Sequence, residues 1–328
     1  MAEPAVSVLL PVRDGEATLP RALASLQRQT LADFEVLCVD DGSADSTPAI
    51  LERQAARDPR FRLVRQPPLW ISAALNRALA ESRAPVVVRQ DADDVSHPRR
   101  LALLLDFLAS HPGADVAGSR TRGFPRRAVG VGMERYEAWQ NGLLTHEEMR
   151  RERFVESPMS QGGAAFRRTA LEAAGGWRDD PWPEDLDLWL RLFAEGRRFA
   201  KLPETLYFWG EHEARTTRRD PRLGPRAHRA CKLHHLQRHF LQERGPVEVW
   251  GRGRLLAGWA RSLEEAGHPV TAREVDPRRA GRVGALALPG RPRAPLLIAL
   301  TAPVSRSRLR PALAEAGLAE ERDYLFVA

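Results

Sequence analysis

The sequence predicts an α/β protein built on a mostly parallel sheet flanked by helices, followed by a second, smaller α/β unit. Three observations carry that prediction. Apolar runs of strand length alternate with stretches of helical periodicity at short spacing, the pattern of strand–helix–strand units. The 328 residues are enough for two domains with cores of their own. Two of the predicted strands empty into paired acids, and the ligands of parallel sheets lie beyond the carboxyl ends of their strands.

In order, Val6-Ser7-Val8-Leu9-Leu10-Pro11 reads as a buried strand, near-continuously apolar as parallel strands tend to be. Leu19, Leu23 and Leu26 mark a helix face. A second strand, Phe34-Glu35-Val36-Leu37-Cys38-Val39, ends in Asp40-Asp41-Gly42-Ser43. Asp45-Ser46-Thr47-Pro48 supplies an N-cap with proline near the first turn of a helix through Ile50 and Leu51. Residues 61–64 give a third strand, 73–79 a third helix and 85–88 a fourth strand. That strand opens into Arg89-Gln90-Asp91-Ala92-Asp93-Asp94, and a helix marked by Leu101, Leu104, Leu105 and Leu108 follows. Carboxylates crowded at a strand end repel one another unless a cation joins them, and Mg²⁺ or Mn²⁺, arriving with a substrate phosphate, suits oxygen ligands. The alternative is a solvated acidic turn with an aspartate capping the next helix.

Hydrophobic content of 43% and charged content of 28% are ordinary for a soluble globular chain. No apolar run approaches the roughly 20 residues that span a bilayer. Met1-Ala2-Glu3-Pro4 shows no basic and apolar leader, and Cys38 and Cys231 stand in settings too different for a disulfide framework. A cytoplasmic protein is therefore expected. The net charge of +7 is matched by residues 215–238 alone, where eight Lys or Arg face one acid, Asp220. This segment reads as a solvated linker helix; the alternative is an electrostatic patch for an anionic membrane surface, a phosphorylated acceptor or nucleic acid. His235 and His239 fall on one helical face as potential metal ligands, with no third ligand evident.

Two acid clusters on one sheet edge can divide the work of holding a nucleotide: one takes base and ribose, the other a metal on the diphosphate. The same chain carries Val8-Leu9-Leu10-Pro11-Val12, Val39-Asp40-Asp41-Gly42-Ser43, Ala74-Leu75-Asn76 and Gln90-Asp91-Ala92-Asp93-Asp94. Later come Gly162-Gly163-Ala164-Ala165-Phe166-Arg167-Arg168, Gly175-Gly176-Trp177 and Glu184-Asp185-Leu186-Asp187-Leu188-Trp189-Leu190-Arg191-Leu192. In order and spacing, over about residues 5–215, these motifs resemble glycosyltransferase family 2 and its GT-A nucleotide-diphospho-sugar transferase fold. The resemblance implies that Pro11, Asp40 and Asp41 line the base and ribose, with Asn76 also on the donor. It implies that Asp91 and Asp93 form the DxD motif, Asp93 in direct contact with Mg²⁺ or Mn²⁺. Asp185 then matches the general base of an inverting transfer, against the plainer reading of acids satisfying a helix N-terminus. His212 falls where many relatives carry a histidine near the diphosphate or metal; a surface histidine is the alternative.

Some positions depart from the family pattern. Arg13-Asp14 replace an aromatic and an asparagine, and a guanidinium there could stack on a pyrimidine. Trp70 stands near a position where relatives often have glycine. Residues 119–160 match nothing specific and are expected to supply acceptor contacts or a lid. A Gln-x-x-Arg-Trp run is missing, which argues against a processive synthase.

Residues 244–328 form the smaller unit, after a 1–220 transferase domain and a 221–243 basic helix. Val247-Glu248-Val249-Trp250 is a strand before Gly251-Arg252-Gly253-Arg254-Leu255-Leu256-Ala257-Gly258 and a helix, then a strand over 270–275 ending at Asp276. This resembles the first half of a Rossmann unit, but Leu256 takes the place of the third glycine, so a structural or regulatory appendage is expected rather than NAD binding. Two further strands, over 295–300 and 324–327, flank a helix marked by Leu309, Leu313 and Leu318.

The sequence thus points to a metal-dependent inverting glycosyltransferase. Its expected donor is a nucleotide sugar, UDP-linked by preference, and its acceptor a cell-surface glycan or lipid-linked precursor. Peripheral contact with the inner face of a membrane is compatible with the basic segment; nucleic acid is not an expected partner. The competing classes are a sugar nucleotidyltransferase, whose Gly-rich basic loop Arg13-Asp14-Gly15-Glu16 reproduces poorly, and a non-catalytic or regulatory nucleotide-binding protein.

Overall fold

The computed structural model describes residues 3–213, 215, 220–241, 245–275 and 294–328. The chain divides into two compact units, one of residues 1–149, 158–180 and 191–219, the other of 150–157, 181–190 and 220–328.

The first unit opens with β1 (Val6–Val12), α1 (Leu19–Gln27), β2 (Phe34–Asp41), α2 (Thr47–Arg57), β3 (Phe61–Gln66), α3 (Ile71–Glu81) and β4 (Val86–Arg89). Every residue of β1 and β2 is buried, which is why neither shows the polar alternation of a half-exposed strand. Then come β5 (Val95–Ser96), α4 (Arg100–Ser110), β6 (Val116–Phe124), α5 (Val131–Gly142), α6 (His146–Glu152), β7 (Ala165–Arg167), α7 (Arg168–Ala173), α8 (Glu184–Ala194) and β8 (Phe199–Gly210), residues 150–152 of α6 and 184–190 of α8 belonging to the second unit. The eight strands form one sheet in the order β3-β2-β1-β4-β7-β6-β8-β5. Pairings among β1 to β4 are parallel, as is β6 with β8, while β4–β7, β6–β7 and β5–β8 are antiparallel. Leu10, Val36, Val88, Leu23, Leu104 and Leu206 meet in its core.

The stretch expected to supply acceptor contacts or a lid begins inside the sheet, because β6 runs through Arg120 and Arg122 to Phe124. Its partner β8 is the longest strand, and the register jumps from Ser119↔Leu202 to Arg120↔Thr205, so Pro203 and Glu204 bulge out of the ladder. A proline has no amide hydrogen to give a sheet, and a bulge is where it fits.

The second unit holds α9 (Pro225–His239), β9 (Val247–Gly251), α10 (Gly253–Glu265), β10 (Val270–Glu274), β11 (Leu296–Ala299), α11 (Pro303–Glu315) and β12 (Tyr324–Phe326). Its four strands are parallel in the order β10-β9-β11-β12. Asp276, the acid of the Rossmann-like pattern, lies outside the described residues. The basic helix α9 corrects the expectation of a solvated face: Cys231, Leu233 and Leu236 pack with Phe154, Leu186, Val249 and Trp259 in the unit's core. Even Lys232 is buried, its Nζ donating to the Val155 carbonyl at 2.7 Å, and burial lowers its pKa. Among the described residues no helix is long and apolar enough to cross a membrane.

Two features of the first unit yield predictions. Glu35 on β2 is 2% exposed and gathers Ser7 Oγ (2.8 Å), the Arg83 amide (2.8 Å) and guanidinium (2.9 Å), and Arg62 Nη1 (3.1 Å). Burial opposes its charge, but these donors outweigh burial and hold the carboxyl below its ordinary 4.5. A depressed folded pKa stabilises fully above the unfolded value and less as pH falls through the folded one. Glu35→Gln should therefore cost roughly 3 kcal/mol near neutrality and flatten the acid limb of stability against pH, measured by urea unfolding. Trp70, just before α3, sits at φ 102° and ψ 159°, a region that only glycine adopts without strain. Relieving a strain of ~1–3 kcal/mol should outweigh the added freedom of the unfolded chain. Trp70→Gly is expected to raise the melting temperature by about 2–4 °C, read by calorimetry.

Candidate active site

β4 ends at Arg89 and delivers residues 90–94 as a tight acidic turn. Gln90 is fully buried beneath it. Its Nε2 donates to the carbonyls of Asp91 (2.9 Å) and Asp94 (3.1 Å), and its Oε1 accepts from Ser96 Oγ (2.6 Å) and Arg100 Nη1 (3.0 Å). Arg100, in the first turn of α4, is 0% exposed. Its guanidinium also donates to Ser96 Oγ (2.7 Å) and to the carbonyls of Arg89 (2.7 Å) and Gly162, and stacks 4.6 Å from the Tyr207 ring. Burial pulls its pKa down to about 10, so it stays charged at neutral pH. Nothing in the sequence reading singled this residue out. The available signal was a cation in the first turn of a helix, where the dipole opposes it and a local anion must compensate.

The three carboxylates of the turn diverge. Asp94 points inward, is 2% exposed and accepts the Gly210 amide at 2.7 Å. Burial, then the charges of Asp93 and Asp91, push its pKa well above the carboxylate range. Asp91 accepts Arg89 Nε at 2.7 Å, and that arginine's Nη1 also reaches Gln161 Oε1. Asp93 Oδ2 lies 2.9 Å from His212 Nε2, with 28% and 32% of the two side chains exposed. Behind them Arg215 pairs with Glu211; burial opposes its charge, but Asp94, Asp93 and Glu211 outweigh burial and raise its pKa. β8 can run this close only because residue 210 is glycine: a Cβ there would stand 2.1 Å from the Asp93 carbonyl oxygen.

The second acid pair lies at the end of β2, two strands along. Asp40 is buried and accepts the Ser43 amide at 3.1 Å. The carboxylate of Asp41 holds the chain before α3, accepting Gln66 Nε2 (2.6 Å) and the amides of Leu69 (2.9 Å) and Trp70 (3.0 Å). Pro11 is buried in β1 beside Val39, and Arg13 is exposed. The loop after β1 is latched to the loop after β2: Asp14 N donates to Ser43 Oγ (3.0 Å), Gly15 N to Thr47 Oγ1 (2.8 Å) and Ala44 N to Asp14 Oδ1 (2.8 Å). Asn76, expected on the donor, has its amide committed elsewhere. Its Nδ2 donates to the Trp177 carbonyl (2.7 Å) and its Oδ1 accepts the Trp177 amide (2.9 Å), tying α3 to the Gly175-Gly176 turn.

Asp185 belongs to the second unit, in the first turn of α8. Glu184 before it is buried, whereas Asp185 is partly exposed and accepts from Ser157 Oγ at 3.4 Å and from the Leu186 amide at 2.7 Å. Trp189, one turn after Asp185, is fully buried in the core. Among the described residues, the only His, Cys, Asp or Glu trio whose ligand atoms lie within 4.8 Å of one another is Asp187, Cys231 and His235. Asp91, Asp93 and His212 therefore do not close into a three-ligand cage.

Comparisons with known proteins agree with this architecture. The chain is 29% identical over 203 residues to the amylovoran biosynthesis glycosyltransferase AmsE of Erwinia amylovora, covering 61% of this chain and 74% of that one. It is 26% identical over 198 residues to the UDP-Gal:alpha-D-GlcNAc-diphosphoundecaprenol beta-1,3-galactosyltransferase of Escherichia coli, covering 59% and 69%. The fold is similar, at a TM-score of 0.52 and 20% identity, to the mannosyltransferase PcManGT of Pyrobaculum calidifontis solved with GDP-Man and Mn²⁺, over 97% of this chain and 77% of that one. Residues 7–175 match the profile of Glycosyl transferase family 2, more than half of the chain, and the protein is a member of that glycosyltransferase family.

Proposed function

We propose that the protein transfers a sugar from a nucleotide-sugar donor to a hydroxyl acceptor, with inversion at the anomeric carbon, in cell-surface polysaccharide assembly. The observation that carries this reading is the turn at the end of β4. It presents Asp91 and Asp93, with His212 beside Asp93, at the strand ends where an α/β sheet takes its ligand. Pro11, Arg13, Asp40 and Asp41 stand on the neighbouring strand ends and provide the wall for base and ribose. Asp41 contributes through the chain it holds, Leu69 and Trp70, more than through free oxygens.

Two partly exposed carboxylates and an imidazole suit Mg²⁺ or Mn²⁺, and the open arrangement fits ions that take one or two carboxylates and complete their shell with phosphate oxygens. A divalent cation bound there supplies charge neutralisation to the departing nucleoside diphosphate. Asp185 takes the proton from the acceptor hydroxyl as that oxygen attacks the anomeric carbon and the bond to the diphosphate breaks. Its partial exposure suits a base that must meet an incoming hydroxyl. A UDP-sugar is the preferred donor, in keeping with the galactosyltransferase relative, whose acceptor is a diphosphoundecaprenol-linked sugar. A glycan or lipid-linked acceptor follows by the same route, and the exposed arginines of α9 offer contact with an anionic membrane surface.

Isothermal titration with UDP, GDP and dTDP, each with and without Mn²⁺, tests the donor site. One nucleotide is expected to bind only with metal, and Asp93→Ala to lose that metal-dependent binding. Asp185→Asn should leave nucleotide binding intact and lower turnover by about 10²–10⁴-fold. Near-normal turnover in that variant would remove Asp185 from the mechanism.

A further inference from the structure

The trio Asp187, Cys231 and His235 is unrelated in chemistry to the acidic turn. Cys231 and His235 lie four residues apart on α9, so one face of that helix presents both side chains in the same direction. Asp187 on α8 faces them, its Oδ1 2.9 Å from His235 Nε2. One ligand atom from each of the three falls within 4.8 Å of the others, and the residues are 1%, 0% and 2% exposed. His239, the next turn along, is exposed and outside the group, so the pair of histidines suggested by sequence spacing is not the one that forms.

We propose that Asp187, Cys231 and His235 bind a zinc ion that joins the first turn of α8 to α9. A thiolate and an imidazole select against Mg²⁺ and Ca²⁺, which prefer an all-oxygen shell, and mixed sulfur, nitrogen and oxygen ligands are those zinc accepts. One thiolate and one carboxylate neutralise the ion's two charges, so the filled site leaves no net charge in the core, where an uncompensated one is costly. Three protein ligands leave a fourth position for water. The ligand Asp187 follows Asp185 by two residues on the same helix, so the ion fixes the turn that carries that carboxylate. The inference rests on this trio alone and does not depend on the proposed transfer reaction.

The test uses full-length protein stripped with a chelator and then given one metal at a time. Titration with zinc alone should show one equivalent bound and a melting temperature raised by several degrees at about a hundredfold excess over Kd. Substitution with Co²⁺ should produce a thiolate-to-metal charge-transfer band in the near ultraviolet. Only Cys231 can supply that thiolate, because Cys38 is buried in β2 with its thiol pushed up to about 12. Cys231→Ser should lose the band with its circular dichroism unchanged, His235→Gln should weaken zinc binding at least tenfold, and Asp93→Ala should keep both signals. Absence of the band in the unsubstituted protein, or zinc binding that survives Cys231→Ser undiminished, would overturn the proposal and leave a hydrogen-bonded cluster.

Discussion

A guanidinium that sees no solvent holds the acidic turn in place. Arg100 reaches the last carbonyl of β4, the side chains of Gln90 and Ser96 beneath the turn, and the carbonyl of Gly162. Gln90 Oε1 and Ser96 Oγ also bond each other, and the guanidinium ties that pair to the two carbonyls. Breaking such a network by removing one charge costs more than any surface contact returns, because the partners cannot be rehydrated. The turn is also a concentration of negative charge, and Arg89, Arg100 and Arg215 are the positive charges that make it tolerable. Position and charge of the turn are thus one problem with one solution.

The aspartates of this chain look interchangeable in sequence, and burial separates them. Asp94 is sealed against β8, and the Gly210 amide it accepts fixes where that strand passes. Asp91 and Asp93 each keep 28% of the side chain exposed, Asp91 against the Arg89 guanidinium and Asp93 beside His212, so both can meet a ligand where Asp94 cannot. The pair at the end of β2 is equally buried, each 4% exposed, and divides by partners instead. Asp41 spends both oxygens on the approach to α3, and the amide hydrogen bonds from Leu69 and Trp70 help hold Trp70 in a backbone conformation that a tryptophan would not adopt unaided.

Legibility in the sequence followed the physical signal each element carries. β1, β2 and β4 were readable because strands buried on both faces are largely apolar, whereas β3, a half-exposed edge strand carrying Arg62 and Arg65, was marked by its Phe61, Leu63 and Val64 and by its place between two leucine-bearing helices. β6 and β8 were not, since Arg120 and Arg122 break the apolar pattern of β6, and Pro203 and Glu204, which a bulge absorbs, break that of β8. The candidate acids stood out by type, because carboxylates crowded at the ends of parallel strands lie where such sheets take their ligands. Arg100 was missed for the converse reason: two of its four acceptors are backbone carbonyls, one of them 62 positions away, and no side-chain motif marks a carbonyl. α9 misled through composition. Its arginines dominate the count, while Cys231, Lys232 and His235 on the buried face include types usually taken for surface.

The chain carries two clusters of metal-ligating groups, and their differences in hardness and closure match the different work proposed for them. Asp91, Asp93 and His212 are partly exposed, rich in oxygen and too far apart to surround an ion unaided. In the proposed reaction such an open set would leave part of the ion's shell to the donor's phosphate oxygens. Asp187, Cys231 and His235 are buried, mixed in donor type and already gathered, which suits an ion that remains for the life of the fold. A thiolate would be a liability at the open cluster, where it would hold a soft metal against exchange; at the closed one, beside an imidazole, it is what would favour zinc over the hard cations that oxygen ligands suit.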